Sequence, residues 1–122
     1  LNRQTHDWLR GEFAAVPLTF FKQIARSVEA GHLVAVDGHP ELPDDFAAQA
    51  PRTSARVAFI AGAENVCFTP ESQRRTRAWY DGHGTGPTSL HVFPGYGHLD
   101  VFMGQTAAAD TFPTIVAELE AA

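Results

Sequence analysis

The sequence predicts an α/β protein in which parallel strands are joined by a crossover helix. Two short apolar segments, residues 57–61 and 89–93, stop at a glycine and at a Pro-Gly pair and have the character of strands. A helical segment between them begins with a threonine–proline pair, and an amphipathic helix follows the second strand. This order of strand, helix, strand and helix is typical of a parallel βαβ unit.

The first half of the chain carries fewer structural signals. Thr19 can cap an amphipathic helix, Gly31 follows it, and its apolar residues recur at i, i+3, i+4 and i+7: Phe21, Ile24, Ala25 and Val28. Residues 33–36 are apolar and stop at an Asp-Gly pair, which indicates a short strand. The proline-rich stretch that follows predicts a loop around one short helical turn at residues 46–49.

The second half is patterned more clearly. Residues 57–61 are continuously apolar up to Gly62, which is typical of a strand buried on both faces of a parallel sheet. Thr69 supplies a capping hydroxyl and Pro70 a first helical position, so the next helix begins there and ends at Gly82. A last helix places four apolar residues on one face: Phe112, Ile115, Val116 and Leu119.

Composition excludes several classes of protein. The chain has 122 residues, nine Lys and Arg against fourteen Asp and Glu, and a net charge of −5, which argues against a nucleic-acid surface. A single cysteine, Cys67, excludes an internal disulfide and a multi-cysteine zinc site. No apolar run approaches the roughly 20 residues that span a bilayer. The sequence predicts a soluble chain without a transmembrane segment, leaves its compartment open, and predicts no cofactor.

Two loops follow the two strands, at the edge where open α/β sheets place their sites. The first covers residues 62–68 and the second residues 94–100. His98 lies in the glycine-bracketed second loop, where a substrate can reach its imidazole as a general base requires. A carboxylate at the end of the neighbouring strand could hydrogen-bond the other ring nitrogen. His83, His91 and His98 lack metal-ligand spacing on any one element, so no metal site is predicted.

The run Gly95-Tyr96-Gly97-His98-Leu99-Asp100, with the alanine-rich stretch and Phe112-Pro113 after it, resembles the C-terminal histidine motif of α/β-hydrolases of the lipase and esterase type. The resemblance covers about residues 56–119. Residues 62–72 also resemble the hydrolase segment attached to flavin-dependent oxidoreductases of the cholesterol-oxidase type. These resemblances imply the C-terminal part of an α/β-hydrolase fold, incomplete without an N-terminal half.

The resemblance implies that His98 is the base and acid of a Ser-His-acid triad. The aspartate of that family follows a glycine by three residues, and here that position holds Asn65, which carries no charge. Glu64 lies one residue earlier and has a longer, charged side chain. The sequence favours Glu64 as the acid and leaves Asn65 as the alternative.

Two further residues of these loops have structural alternatives to catalysis. Asp100 follows His98 by two residues and is expected to cap the next helix or to fix the loop. Cys67 lies between Val66 and Phe68, which indicates a buried thiol rather than a nucleophile.

The nucleophile of such a triad is absent from the chain. A hydrolase serine stands in a Gly-x-Ser-x-Gly elbow before the acid and the histidine, and no serine here has that context: Ser27, Ser54, Ser72 and Ser89. The sequence also begins at Leu1 rather than at methionine. We therefore expect residues 52–122 to be the C-terminal βαβα part of a longer hydrolase, and residues 1–51 to be a cap, lid or connecting helical segment.

The expected function is that of the C-terminal portion of a carboxylic-ester hydrolase or lipase, inactive as this chain alone. Its partner would be the N-terminal half of the same hydrolase or another copy of this chain, and its substrate an ester or lipid-like small molecule. Four apolar residues of the two loops would suit such a substrate: Phe68, Tyr96, Val101 and Phe102. The alternative, favoured by the uncharged Asn65, is a non-catalytic hydrolase-like module packed on a partner such as an oxidoreductase domain.

Overall fold

A computed structural model of the chain describes residues 1–12, 14–36 and 38–121. The described residues form two units, Leu1–Glu12 with Pro51–Ala122 and, separately, Phe13–Ala50. Their six helices and two strands are, in chain order, α1 Arg3–Glu12, α2 Leu18–Ala30, β1 Val57–Gly62, α3 Pro70–His83, β2 Thr88–Phe93, α4 Asp100–Met103, α5 Ala107–Asp110 and α6 Phe112–Glu120.

Strands β1 and β2 pair in parallel, in a register that runs from Val57 opposite Thr88 to Gly62 opposite Phe93. The helix between them, α3, completes a βαβ unit, so the predicted α/β class is confirmed at this level. The expectation that the first strand is buried on both faces is wrong at Ala58, which is exposed. Ala58 lies near the start of β1, away from the residues that pack beneath the loops.

Helix α3 begins where the sequence predicts. The Thr69 hydroxyl accepts a hydrogen bond from the Ser72 N–H at 3.3 Å, and Pro70 occupies the first turn. The helix passes Gly82 and ends at His83, one residue later than expected. Gly84 closes it by donating its N–H to the carbonyl of Tyr80 at 2.6 Å.

The two faces of the strand pair are covered by different helices. On one face, Phe59 of β1 meets Tyr80 of α3 edge to face, with ring centroids 6.4 Å apart. On the other face, half-buried Ile60 and Phe93 pack on a buried cluster built from the second loop, α4 and α5: Tyr96, Val101 and Ala107. This second layer holds the loop that carries the candidate histidine.

The carboxylate of Glu118 joins helix α6 to β2 and to Arg56, the residue before β1. Its Oε2 accepts from Arg56 Nε at 2.7 Å, beside the start of β1, and its Oε1 lies 2.6 Å from Nε2 of His91 in β2. The Glu118 side chain is only 12% exposed. Hydrogen bonds from Arg56 and His91 lower the pKa of Glu118 to about 2. The predicted last helix is thus confirmed, and an ion-pair cluster fixes its C-terminal turns.

Helix α1 has no counterpart in the sequence analysis. Trp8 and Leu9 are its two large apolar residues, so the segment lacks the repeated apolar positions from which a helix is predicted. It has no buried residue.

The unit Phe13–Ala50 confirms one prediction and corrects three. Helix α2 is present and ends at Gly31, whose φ of 75° is the left-handed conformation that glycine favours. The N-cap is Pro17, with no side-chain hydrogen bond, so the cap expected at Thr19 is wrong. The strand expected at residues 33–36 is reduced to one antiparallel bridge between Val34 and Asp45.

Side chains explain both irregular segments of this unit. Gln23 donates to the Val34 carbonyl and accepts from the Val36 N–H, so helix α2 takes backbone groups that a second strand would need. Asp45 accepts the Ala47 N–H at 2.7 Å, and this local bond replaces the helical turn expected at residues 46–49. The unit also contains an open groove of about 500 Å³, lined by Pro17, Thr19, Phe20, Gln23, Leu33, Ala35, Val36, His39, Leu42 and Phe46.

We predict that Glu118 makes folding acid-sensitive. Its pKa is about 2 in the folded chain against a reference value of 4.5, so its contribution is complete above pH 4.5 and is lost as the pH falls towards 2. In denaturant titrations between these two pH values, Glu118→Gln should show a smaller loss of unfolding free energy on acidification than the wild type. The exposed Glu120 on the same helix gives the control, Glu120→Gln. Equal pH slopes for the wild type and Glu118→Gln would contradict the prediction.

Candidate functional site

The loops after β1 and β2 meet because the strands are parallel, and both carboxyl ends lie at the same edge of the pair. Ala63 donates its N–H to the Phe93 carbonyl at 2.9 Å, and Glu64 donates to the Tyr96 carbonyl at 3.0 Å. These two backbone bonds continue the ladder beyond the strands. They set the distance between the side chains of the two loops.

Gly62 is required at this junction by space. A Cβ atom at this position would overlap the backbone carbonyl oxygens of Tyr96 and Gly97. Glycine therefore permits the first loop to pass directly beneath the second. In the sequence, Gly62 indicated the end of a strand, although a glycine at the end of a strand is also typical of a close backbone approach.

Asn65 organises the first loop and is only 8% exposed. Its N–H donates to the Gly62 carbonyl at 3.1 Å. Its side-chain Oδ1 accepts from the backbone N–H groups of Cys67 and Phe68, each at 3.0 Å. Its side-chain Nδ2 lies 3.2 Å from Nδ1 of His98 in the second loop. Asn65 is therefore the residue through which the first loop contacts the histidine.

The imidazole of His98 is exposed and lies near the ring of Phe68, with centroids 5.0 Å apart and the two rings tilted at 43°. Gly95, at a φ of 76°, turns the chain into this loop. The Asp100 carboxylate accepts the Gly97 N–H at 3.0 Å. Asp100 thus fixes the loop, as expected, whereas the N-cap residue of α4 is Leu99.

Tyr96 anchors the second loop to the helical layer, and its ring is buried. Its hydroxyl donates to Oδ2 of Asp110 at 2.7 Å and lies 2.8 Å from the hydroxyl of Thr106. The bonds from Tyr96 and Thr106 lower the pKa of the Asp110 carboxyl. Thr111 lies beside them, completely buried, and donates its hydroxyl to the Val101 carbonyl at 2.6 Å. The sequence did not predict the contact between Tyr96 and Asp110, because nothing in the alanine-rich stretch shows which residue faces the loop.

The two candidate acids differ in their contacts. Asn65 reaches His98, as described above. Glu64 is exposed, and in the described part of the chain its carboxylate takes part in no hydrogen bond or ion pair. Its backbone N–H alone is used, on Tyr96. The residue that the sequence favoured as the acid is therefore not the one that the structure brings to the histidine.

The prediction that Cys67 is buried is wrong. Its thiol is exposed, and its neighbours Val66 and Phe68 are 88% and 58% exposed. The side chains of Val66 and Phe68 are therefore largely in solvent, and they do not enclose the thiol. Cys67 contributes to the site through its backbone N–H, which Asn65 accepts.

The apolar residues expected to face a substrate divide into two pairs. Tyr96 and Val101 are buried and belong to the core, so that expectation is wrong for them. Phe68 and Phe102 are exposed, and Phe68 lies against His98. Phe68 is thus the aromatic side chain that flanks the imidazole.

The other histidines of this unit lie elsewhere. Nδ1 of His83 is 2.7 Å from the Trp79 carbonyl at the end of α3, and the two rings stack at 4.8 Å. His91 belongs to the Glu118 cluster. Over residues 1–12, 14–36 and 38–121, no three His, Cys, Asp or Glu residues come together as metal ligands do. In the same ranges, no helix has the length and apolar character that crossing a membrane demands.

No family model, no curated protein and no solved structure matches this chain.

We predict that Gly62→Ala separates the two loops. The added methyl group meets the carbonyls of Tyr96 and Gly97, so the backbone must shift and the contact between Asn65 and His98 should lengthen. Overpacking of this kind costs roughly 1–3 kcal/mol in unfolding free energy, measurable by denaturant titration. Gly82→Ala is the control, because a Cβ in that part of α3 meets nothing within 4 Å. Equal stability of the two variants would contradict the close approach at Gly62.

Proposed function

We propose that this chain is the C-terminal portion of a serine hydrolase that acts on carboxylic esters, and that it supplies His98 to a serine on a preceding segment. The observation that carries the proposal is the contact between His98 and Asn65 across two adjacent loops. The residue at the acid position of the resembling hydrolases and the residue at the histidine position lie in the loops after two different strands, 33 residues apart in sequence, with their side chains 3.2 Å apart.

The surroundings of His98 also support this proposal. The imidazole is exposed, so a serine on another segment can reach it. Tyr96 and Asp100 hold the loop on both sides of His98, and Asn65 lies within hydrogen-bond distance of its ring. The apolar face of Phe68 beside it suits the hydrocarbon part of an ester or a lipid.

The chemistry would be acyl transfer to water. The serine oxygen attacks the ester carbonyl carbon and its proton passes to His98, which gives that proton to the departing alcohol. A water molecule then attacks the acyl-enzyme, again losing a proton to His98, and the carboxylic acid leaves as the serine regains its hydrogen. His98 is unchanged over the cycle. The four serines of the chain, Ser27, Ser54, Ser72 and Ser89, lack the glycine context of a nucleophile elbow, so the nucleophile is assigned to the preceding segment.

One observation favours the second candidate, a non-catalytic hydrolase-like module that packs on a partner such as an oxidoreductase domain. Asn65 is uncharged, and it presents an amide nitrogen rather than an oxygen to the imidazole. In serine proteases, an asparagine in place of the triad aspartate lowers turnover by about 10⁴. A site with this pairing is suited to binding as well as to slow chemistry.

A fluorophosphonate probe tests the first candidate on the intact protein, including the segment assigned the serine. The serine oxygen displaces fluoride from phosphorus, and His98 takes the hydroxyl proton. His98→Ala should reduce the labelling rate by roughly 10²–10⁴, because the general base is removed. His83→Ala changes a histidine at the far end of α3 and should leave the rate unchanged. Labelling that is the same in the wild type and His98→Ala would refute the proposed role, and an intact protein that never labels supports the non-catalytic module.

The acid position is tested by two further variants in the same assay. Asn65→Asp places a charge against His98 and should raise the labelling rate, by up to about 10⁴ by analogy with the protease exchange. Glu64→Gln should have no effect, because the Glu64 side chain lies apart from the imidazole contacts. A large loss in Glu64→Gln, with no gain in Asn65→Asp, would instead identify Glu64 as the acid.

A further inference from the structure

The orientation of the Asn65 side chain is determined by the backbone of its own loop. Its Oδ1 accepts the N–H groups of Cys67 and Phe68, and the residue is largely buried. A reversed amide would direct its NH₂ group at these two donors and leave both without an acceptor. The oxygen is therefore committed to the loop, and the nitrogen faces His98.

This orientation determines which nitrogen of His98 carries the proton. The Asn65 Nδ2 is a donor, and it lies 3.2 Å from Nδ1 of the imidazole. Nδ1 must then offer its lone pair. A neutral imidazole has one protonated and one unprotonated nitrogen, so the proton of neutral His98 is on Nε2.

We infer that Asn65 is a positioning residue that holds His98 in the tautomer protonated on Nε2. In this state the exposed imidazole donates a hydrogen bond to an acceptor oxygen of a ligand, such as an ester or carboxylate oxygen. As a statement about a ligand, the inference rests on the proposed function, because it takes His98 to face the substrate.

The tautomer of His98 determines whether its Nε2 can act as a base at the proposed site. A histidine that accepts a serine proton at Nε2 needs its own proton on Nδ1, facing an acceptor. Asn65 provides such an acceptor only if its amide flips, and its oxygen then no longer accepts the N–H groups of Cys67 and Phe68. A hydrolase built on this loop therefore rests in a tautomer whose Nε2 cannot take the serine proton until an oxygen replaces the amide nitrogen at Nδ1.

His83 supplies an internal reference for the opposite tautomer. Its Nδ1 lies 2.7 Å from the carbonyl oxygen of Trp79, which can only accept a hydrogen bond. Nδ1 of neutral His83 therefore carries the proton. His83 and His98 should give opposite patterns in one spectrum of one sample.

The test is a long-range proton–nitrogen correlation spectrum of the ¹⁵N-labelled intact protein at a pH of about 8, above the ordinary histidine pKa of about 6.5. His98→Gln and His83→Gln assign the signals. We expect Nε2 of His98 at the position of a protonated nitrogen and Nδ1 at that of an unprotonated one, the reverse of His83. A His98 pattern that matches His83 would overturn the inference.

Asn65→Asp adds a second readout. Its carboxylate accepts a hydrogen bond where the amide donated one, so Nδ1 of His98 should shift to the position of a protonated nitrogen. Asn65→Leu, of similar size, offers neither donor nor acceptor and should release the preference. The backbone amide spectrum reports whether each variant is folded. If a variant does not fold, the wild-type spectrum alone still tests the inference. An unprotonated Nδ1 in folded Asn65→Asp would show that residue 65 does not set the tautomer.

These results are separable from the proposed hydrolase activity. Protonation on Nε2 in an intact protein that does not react with the fluorophosphonate would uphold the tautomer and refute the hydrolase. Labelling that depends on His98, in a protein with the proton on Nδ1, would uphold the hydrolase and refute the tautomer.

Discussion

The acceptance of two backbone N–H groups by the side-chain oxygen of Asn65 is the interaction on which the candidate site depends. It closes the loop after β1 into a tight turn and fixes one end of the amide. The other end of the amide then has a single direction, towards His98. Because this nitrogen is a donor, the same two backbone groups that shape the loop also determine the chemistry offered to the imidazole.

The rest of the unit brings the second loop to that point. The parallel strand pair puts both loops at one edge, and Gly62 lets their backbones touch. Tyr96 and Asp110 tie the second loop to the helices on one face of the strands. Beyond them, Glu118 joins the last helix to β2 and to Arg56 beside β1. Each step is a local contact, and together they place two side chains from distant parts of the sequence within hydrogen-bond distance.

The sequence predicted β1, α3, β2 and α6 of this unit, since their causes are local, and missed α1. The apolar run of β1 and the cap of α3 at Thr69 depend on neighbouring residues. The prediction of a strand at residues 33–36 was wrong because the side chain of Gln23 in α2 hydrogen-bonds the Val34 carbonyl and the Val36 N–H, which a neighbouring strand would otherwise bind. The prediction that Cys67 is buried was wrong for a related reason. Burial of a loop residue depends on which distant elements pack over the loop, and the sequence pattern does not show this.

The sequence predicted which two loops form the candidate site, but not which side chains meet there. His98 was identified from its place in the loop after a strand and Asn65 from the resemblance to the hydrolase acid position, whereas the choice between Asn65 and Glu64 depended on side-chain direction. The orientation of the Asn65 amide depends on the backbone N–H groups of Cys67 and Phe68. The residue types at these positions do not show where the two N–H groups point. The Tyr96–Asp110 anchor joins residues 14 positions apart through an irregular segment, and sequence spacing gives no rule for such pairs.

The most direct test of this account is a double-mutant cycle on the unfolding free energy, with Asn65→Ala, His98→Ala and the double variant. A hydrogen bond between the two side chains predicts a coupling energy of about 0.5–1.5 kcal/mol. The same cycle between Asn65→Ala and His83→Ala, which are not in contact, should be additive. Additivity between Asn65 and His98 as well would contradict the contact from which the proposed site and its chemistry are built.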